Sequence, residues 1–267
     1  MTTAATVFAA ETILLRRDEG GITTLILNRP RQYNALSQAL LNELQVALEA
    51  IADEPSVRVV VLTGNGPAFC AGHDLKEMRT HTDKAFHQGL FEKCSGVMLT
   101  INRLPQPVIA RVDGIATAAG CQLVAACDLA IASNQARFAT SGINVGLFCA
   151  TPGVALSRNL PRKHALELLL TGDFIDAHTA LQKGLVNQVT SPEALDAAVE
   201  RLAESICAKS PLAIATGKQM FYRQLEMGLE DAYHYASDVM ACSMSTADAC
   251  EGIDAFLAKR KPQWYGR

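Results

Sequence analysis

Val108-Ile109-Ala110-Arg111-Val112, then Asp113-Gly114-Ile115-Ala116-Thr117-Ala118, then Ala119-Gly120-Cys121-Gln122-Leu123 is the stretch on which the reading of the fold turns. A short apolar run closed by Asp-Gly has the pattern of a strand buried on both faces, and the small apolar residues after it open a helix. An earlier stretch is built alike. Val57–Leu62 runs into Gly64-Asn65-Gly66, and Phe69-Cys70-Ala71-Gly72 leads through His73-Asp74-Leu75 to Lys76-Glu77-Met78. Asp128–Ala132 repeats the buried-strand character. Strand, helix and strand in this cadence predict parallel pairing through crossovers, hence an α/β core with a weak ββα recurrence.

Working outward, Thr12–Arg17 and Ile22–Leu27 are strand-like and flank Asp18-Glu19-Gly20-Gly21, which is hairpin chemistry. Ser37 is placed to cap a helix over 38–52, in which Leu40, Leu41, Leu44, Ala47, Leu48 and Ile51 form one stripe. Beyond about residue 160 the pattern turns helical: 163–170, 177–181, 193–208, 211–224 and 228–244. The chain thus divides into an α/β core over 1–160 and a helical region over 161–267.

The 267 residues carry 24 basic and 27 acidic side chains, a formal charge of −3, which argues against a nucleic-acid-binding surface. The eight cysteines contain no C-x-x-C pair and read as reduced, buried small residues; no histidine spacing suggests a metal site. Met1–Glu11 lack the basic and apolar regions of a secretory leader, and no apolar run reaches the length of a membrane span. Cytoplasmic location is the default expectation.

The two strand-turn-helix junctions carry the chemistry. Helix first-turn N–H groups lack internal partners, and two of them converging on one point make an oxyanion hole. On spacing alone the junctions read as tight turns of a packed α/β protein; the family resemblance is what gives them chemistry.

Asn28-Arg29-Pro30 with Asn34-Ala35-Leu36, Phe69 to Leu75, Gly120-Cys121-Gln122-Leu123 with Cys127-Asp128, Leu170-Thr171-Gly172 and the segment from Glu251 to Pro262 resemble, in order, the crotonase (enoyl-CoA hydratase/isomerase) superfamily. The resemblance implies a spiral of ββα units followed by helices that build trimers or dimers of trimers. It also implies an acyl thioester of coenzyme A as ligand, with no permanently bound cofactor and coenzyme A entering as part of the substrate. Carried over by position, the backbone N–H groups of His73 and Ala119 form the oxyanion hole. Ala71, Asp74 and Leu75 line the groove, Arg31 lies near the phosphates and Tyr33 forms a groove wall or a plain loop aromatic. Phe256 and Lys259 reach a neighbouring subunit's nucleotide. The His73 side chain reads as packing, and Asp74 and Glu77 as caps of the following helix.

The sequence departs from the family where hydration needs its two glutamates. Those positions hold Gln122 and Gly142. An amide exchanges no proton at neutral pH, and losing one positioned acid or base typically removes about 10²- to 10⁴-fold of rate. An oxyanion donor can still contribute about 2.7–4 kcal/mol. The loop from Gly146 to Gly153 is extended and brings Cys149 and Thr151 toward the missing carboxylate. Ser141, Cys149, Thr151 and His87 are the candidate substitutes, although Cys149 has no basic sequence neighbour to activate it. This pattern resembles a divergent branch of the superfamily, the enoyl-CoA hydratase domain-containing proteins. Three readings remain open: an enolate-stabilising acyl-CoA enzyme with non-standard residues, a non-catalytic acyl-CoA-binding protein, and a thioester hydrolase.

Overall fold

The structure, a computed structural model, describes residues 12–266. The reading of Met1–Glu11 as lacking a leader lies outside them. In chain order the elements are β1 (Leu14–Glu19), β2 (Ile22–Leu27), α1 (Gln38–Ala52), β3 (Val59–Gly64), β4 (Ala68–Cys70), α2 (Leu75–Thr80), α3 (Lys84–Arg103), β5 (Val108–Val112), β6 (Ile115–Thr117), α4 (Ala119–Ala126), β7 (Leu129–Ser133) and β8 (Arg137–Ala139). There follow α5 (Ala150–Asn159), α6 (Arg162–Thr171), β9 (Ile175–Asp176), α7 (Ala177–Lys183), β10 (Gln188–Thr190), α8 (Pro192–Cys207), α9 (Pro211–Gln224), α10 (Leu229–Met244) and α11 (Ala247–Leu257).

The hairpin forms as its sequence suggests, but its turn is narrower than four residues. Glu19 pairs with Ile22, leaving only Gly20 and Gly21, both at positive φ, as the two-residue loop. Ser37 accepts the Leu40 N–H and starts α1, whose buried stripe is Leu40, Leu41, Leu44, Leu48 and Ile51. From β3 onward pairing is parallel, except that β9 joins β8 antiparallel. The larger sheet runs β1-β2-β3-β5-β7-β10, and a smaller one runs β4-β6-β8-β9.

Three successive ββα units explain this double sheet. In β3–β4, β5–β6 and β7–β8 the first strand extends the large sheet and the second extends the small one, before the chain enters a helix. The result is the α/β spiral that the sequence led us to expect. The second strands have only three residues each. Sequence reading placed the first two of them in turns and passed over Arg137–Ala139, because so short a run shows no alternation.

The main core lies between the two sheets and helices α1, α3 and α4. On the opposite face of the large sheet, Val59, Val61, Ile109 and Ile131 pack against Leu195, Ala198, Val199 and Ala203 of α8. Fully burying one such Val, Leu or Ile contributes about 1.5–3 kcal/mol, so this stripe firmly seats a helix of the C-terminal third. A second tie is polar. Lys218 of α9 reaches Asp128 Oδ2 at 2.6 Å and the carbonyls of Ile101 and Gln106, while Tyr222 donates to Asp128 Oδ1 at 2.8 Å.

Cysteine burial is less uniform than its apolar context suggests. All eight are free, and Cys70, Cys94, Cys121, Cys127 and Cys149 are buried, yet Cys242 on α10 and Cys250 on α11 face outward.

Candidate active site

The first junction is held against the segment 29–37 like a short strand. Leu36 donates to the Gly72 carbonyl at 2.7 Å, and Asp74 donates to the Leu36 carbonyl at 3.1 Å. In a parallel bridge of this kind the residue between the two bonded neighbours turns its own N–H to the other side. His73 is that residue. Ala71 donates to the Tyr33 carbonyl at 2.9 Å, so Tyr33, Ala71 and His73 lie together at this junction.

Asn34 makes this clamp possible. It is fully buried with φ of 54°, a left-handed geometry that asparagine tolerates better than most residues. Its Oδ1 accepts the Arg29 N–H, and its Nδ2 donates to the carbonyls of Asn65 and Ala68. Arg29 in turn donates to the Ala35 carbonyl and to Asp74 Oδ2. Asp74 Oδ1 caps α2 by accepting from Lys76 and Glu77. Burial alone would raise the Asp74 pKa, but the Arg29 hydrogen bond and the capping amides outweigh it and hold the carboxyl below its ordinary value. Glu77 differs from expectation. Its Oε2 accepts the Gln38 N–H, so it caps α1 rather than the helix it belongs to.

At the second junction β6 ends at Thr117, Ala118 donates to the Ala139 carbonyl of β8, and α4 begins at Ala119. Ala118 holds φ of 50° and ψ of −121°, a strained conformation for a residue with a side chain. The two junctions touch through Gly72, whose φ is +90°. A Cβ there would stand 2.9 Å from Ala118 Cβ and 3.1 Å from the Ala119 nitrogen. At Gly120 a Cβ would sit 2.0 Å from the Cys70 carbonyl oxygen. Among the described residues, neither the His73 nor the Ala119 N–H donates a hydrogen bond.

The His73 imidazole lies edge-on to Phe91 with ring centroids 5.2 Å apart, and its Nε2 is buried without a partner. Burial pushes its pKa down to about 4, so the ring is neutral at pH 7 and serves as packing. Phe91 belongs to a cleft of about 680 Å³ along α3 that also includes His87, Leu99 and Thr151. Thr151 therefore faces α3 and His87. Cys149, by contrast, packs directly on Gly142.

The two positions where the family resemblance expects glutamates, Gln122 and Gly142, have distinct surroundings. Gln122 is 4% exposed, and its Oε1 is buried with no partner. A Cβ at Gly142 would lie 2.7 Å from both Cys149 Sγ and the Leu147 carbonyl oxygen, so that space is filled. Burial raises the Cys149 pKa, leaving a thiol rather than a thiolate. Ser141 Oγ sits 2.8 Å from Thr117 Oγ1, paired with a hydroxyl and not with a base.

Arg31 is exposed on the 3-10 turn Pro30–Gln32, and Tyr33 and Leu75 are also exposed at the first junction. Phe256, 82% exposed, lies apart from them. It borders a cavity of about 770 Å³ among α9, α10 and α11 whose walls include no residue of either junction. Lys259 follows just after α11, exposed, with φ of 54°. Thr117 and Phe91 were not singled out from sequence. Their signal is three-dimensional, since each is recognised only by its contact with Ser141 or His73.

Residues 17–267 match the family model described as enoyl-CoA hydratase/isomerase. A Xenopus laevis protein named enoyl-CoA hydratase domain-containing protein 3, mitochondrial, is 48% identical over 248 residues, covering 93% of this chain and 84% of that protein. A solved Mycobacterium smegmatis enoyl-CoA hydratase is 57% identical with a TM-score of 0.93, covering 95% of this chain and 99% of that one. The solved human enoyl-coenzyme A hydratase domain-containing protein 3 is 45% identical with a TM-score of 0.92, over 95% and 100% of the two chains. These relatives correct the cytoplasmic expectation: the Xenopus laevis protein and its human counterpart are named mitochondrial. That expectation rests on the absence of a secretory pattern, a criterion that bears on secretion alone and carries no information about import into an organelle. With its fold, its motifs and these matches in agreement, the chain belongs to the enoyl-CoA hydratase/isomerase family of the crotonase superfamily.

Proposed function

We propose that this protein binds an acyl thioester of coenzyme A and processes it by stabilising the thioester enolate between the N–H groups of His73 and Ala119. The observation that carries the reading is the pair of unpartnered amides at two junctions pressed together through Gly72. Donors fixed by the backbone need no reorganisation as charge develops on the carbonyl oxygen, which is how such a site lowers a barrier. Coenzyme A enters as part of the substrate. Arg31, Tyr33, Ala71, Asp74 and Leu75 line its path at the first junction.

Proton transfer in standard hydration is not supplied by Gln122, by Gly142 or by the buried Cys149 thiol. His87, at the cleft along α3, is the imidazole available to it. Following the loss of conjugated enoyl-thioester absorbance over short and medium chains tests the reading; no turnover across a broad acyl-CoA panel rejects catalysis. A second reading, binding without catalysis, is favoured by the filled space at Gly142. It expects saturable thioester binding with no product. Hydrolysis, the third, would release free thiol, but among the described residues Ser141 pairs with the Thr117 hydroxyl and no base is hydrogen-bonded to Cys149.

In this proposal residues 1–160 carry the groove, and 161–267 assemble a homotrimer or a dimer of trimers. The exposed Leu229, Tyr233, Met240, Phe256 and Leu257 supply apolar surface for that assembly. Phe256 and Lys259 then contact a neighbouring subunit's nucleotide. Sedimentation of the purified protein checks this, and a monomer at micromolar concentration rejects it.

A further inference from the structure

The two amides assigned to the carbonyl oxygen are backed in different ways. A trans peptide is planar, so the N–H of one residue and the C=O of the residue before it point to opposite sides of one plane, and whatever binds that C=O also aims the N–H. Behind the Ala119 N–H stands the Ala118 carbonyl, which accepts the Gln122 N–H of the first turn of α4 at 3.1 Å. The helix thus orients this amide, and its dipole polarises it. The His73 N–H has no helix turn behind it, since α2 begins only at Leu75 with Asp74 as its cap.

A cation takes the helix's place at His73. The plane of the His73 N–H carries the Gly72 carbonyl, which accepts the Leu36 N–H at 2.7 Å. The Leu36 N–H shares its own plane with the Ala35 carbonyl, which accepts Nη1 of Arg29. Guanidinium, the 35–36 peptide and the 72–73 peptide therefore follow one another, and the free end of this relay is the His73 N–H. Hydrogen bonds in such a chain polarise one another, and an ionised donor at its head strengthens the first of them. The other branch of the guanidinium fixes the cation in place. Its Nη2 donates to Asp74 Oδ2 at 2.9 Å, with the Arg29 and Asp74 side chains only 17% and 15% exposed. Arg29 thereby grips residue 35 on one side and residue 74 on the other of the Leu36–His73 bridge, an isolated pair outside both sheets.

We propose that Arg29 is a positioning residue of the oxyanion site: without touching the thioester it aims and polarises the His73 N–H through two peptide planes, as the first turn of α4 does for Ala119. This inference rests on the proposed function above.

The experiment compares hexanoyl-CoA with its thioether counterpart S-hexyl-CoA, which lacks the carbonyl oxygen, by calorimetric titration of the full-length wild type, Arg29→Met and Arg29→Lys. Two amides on one carbonyl oxygen are expected to make the thioester bind about 5- to 150-fold tighter than the thioether in the wild type. In Arg29→Met that ratio falls by about 2- to 13-fold, the share of one hydrogen bond, while the affinity for S-hexyl-CoA changes by less than about twofold. Arg29→Lys keeps a cation beside the Ala35 carbonyl and recovers part of the ratio. Infrared difference spectra of hexanoyl-CoA carrying carbon-13 at its carbonyl read the same atom directly: the bound stretch lies below the free one in the wild type and moves back toward it in Arg29→Met. A purely structural ion pair would lower the melting temperature of Arg29→Met and leave the ratio and the bound stretch at wild-type values, which overturns the proposal. Equal weakening of both ligands overturns it too. Where Arg29→Met does not fold, the neutral Arg29→Gln is judged by the same ratio and stretch. A wild type that binds both ligands equally removes the oxyanion reading and this inference with it, and one that binds neither removes the acyl-CoA reading; both results are distinct from a failure of Arg29 alone.

Discussion

Gly72 faces the Ala119 nitrogen across the two junctions: a Cβ placed on Gly72 would stand 3.1 Å from it. This proximity sets how close the His73 and Ala119 amides can come. Gly72 also holds φ of +90°, which residues with side chains rarely adopt.

Gly72→Ala therefore strains the backbone and pushes on Ala118. We expect a stability loss of about 1–3 kcal/mol and a disproportionate loss of acyl-CoA affinity. Chemical denaturation and ligand titration measure the two effects. A variant that melts lower but binds normally would show that the contact is structural only.

Much of the fold was legible because long elements carry period and caps. Ser37 and the stripe from Leu40 to Ile51 announced α1, and the apolar runs at Val59 and Val108 announced the central strands. The small sheet was not legible, because Ala68–Cys70 and Ile115–Thr117 are too short to alternate and are defined by their neighbours. Helix α11 was passed over as a helix. Its sequence includes Gly252, and the Trp264 ring comes within 3.2 Å of where a Cβ on that glycine would sit, a contact made only after the tail folds back. At the site, family resemblance named His73 and Ala119, whereas Thr117, Phe91 and the Glu77 contact with α1 depend on folding.

Placing a carboxylate at position 142 should fail. The Gly142→Glu side chain meets Cys149 Sγ and the Leu147 carbonyl oxygen at its first atom, and overpacking typically costs about 1–3 kcal/mol. Gln122→Glu with Gly142→Glu is expected to melt several degrees lower and to show no gain in hydration. A double variant that melts like wild type and hydrates crotonyl-CoA briskly would contradict the packing described here.

Lys218 and Asp128 form a largely buried pair, at 7% and 13% side-chain exposure. Lys218→Met leaves Asp128 and Tyr222 with an uncompensated charge, and breaking such a pair costs about 3–5 kcal/mol. Lys218→Met with Asp128→Asn should recover part of that loss. Urea unfolding of the single and double variants is the measurement; an unchanged midpoint for Lys218→Met would remove this pair as the tie between α9 and the core.

Acid sensitivity has an identifiable contributor in His73. Its folded pKa of about 4 lies below the ordinary 6.5, so folding favours the neutral ring. The stabilisation is full above about pH 6.5 and is lost as pH falls toward about 4, since the unfolded chain gains the proton first. His73→Phe should flatten the fall in stability between these values relative to wild type. Parallel curves for the two proteins would show that the imidazole is more open to water than its packing on Phe91 suggests.

A crystal structure with a bound acyl-CoA thioester bears most directly on the central claim. The account predicts the thioester carbonyl oxygen within about 2.7–3.1 Å of the backbone nitrogens of both His73 and Ala119. A thioester bound with its carbonyl directed at neither nitrogen would contradict it.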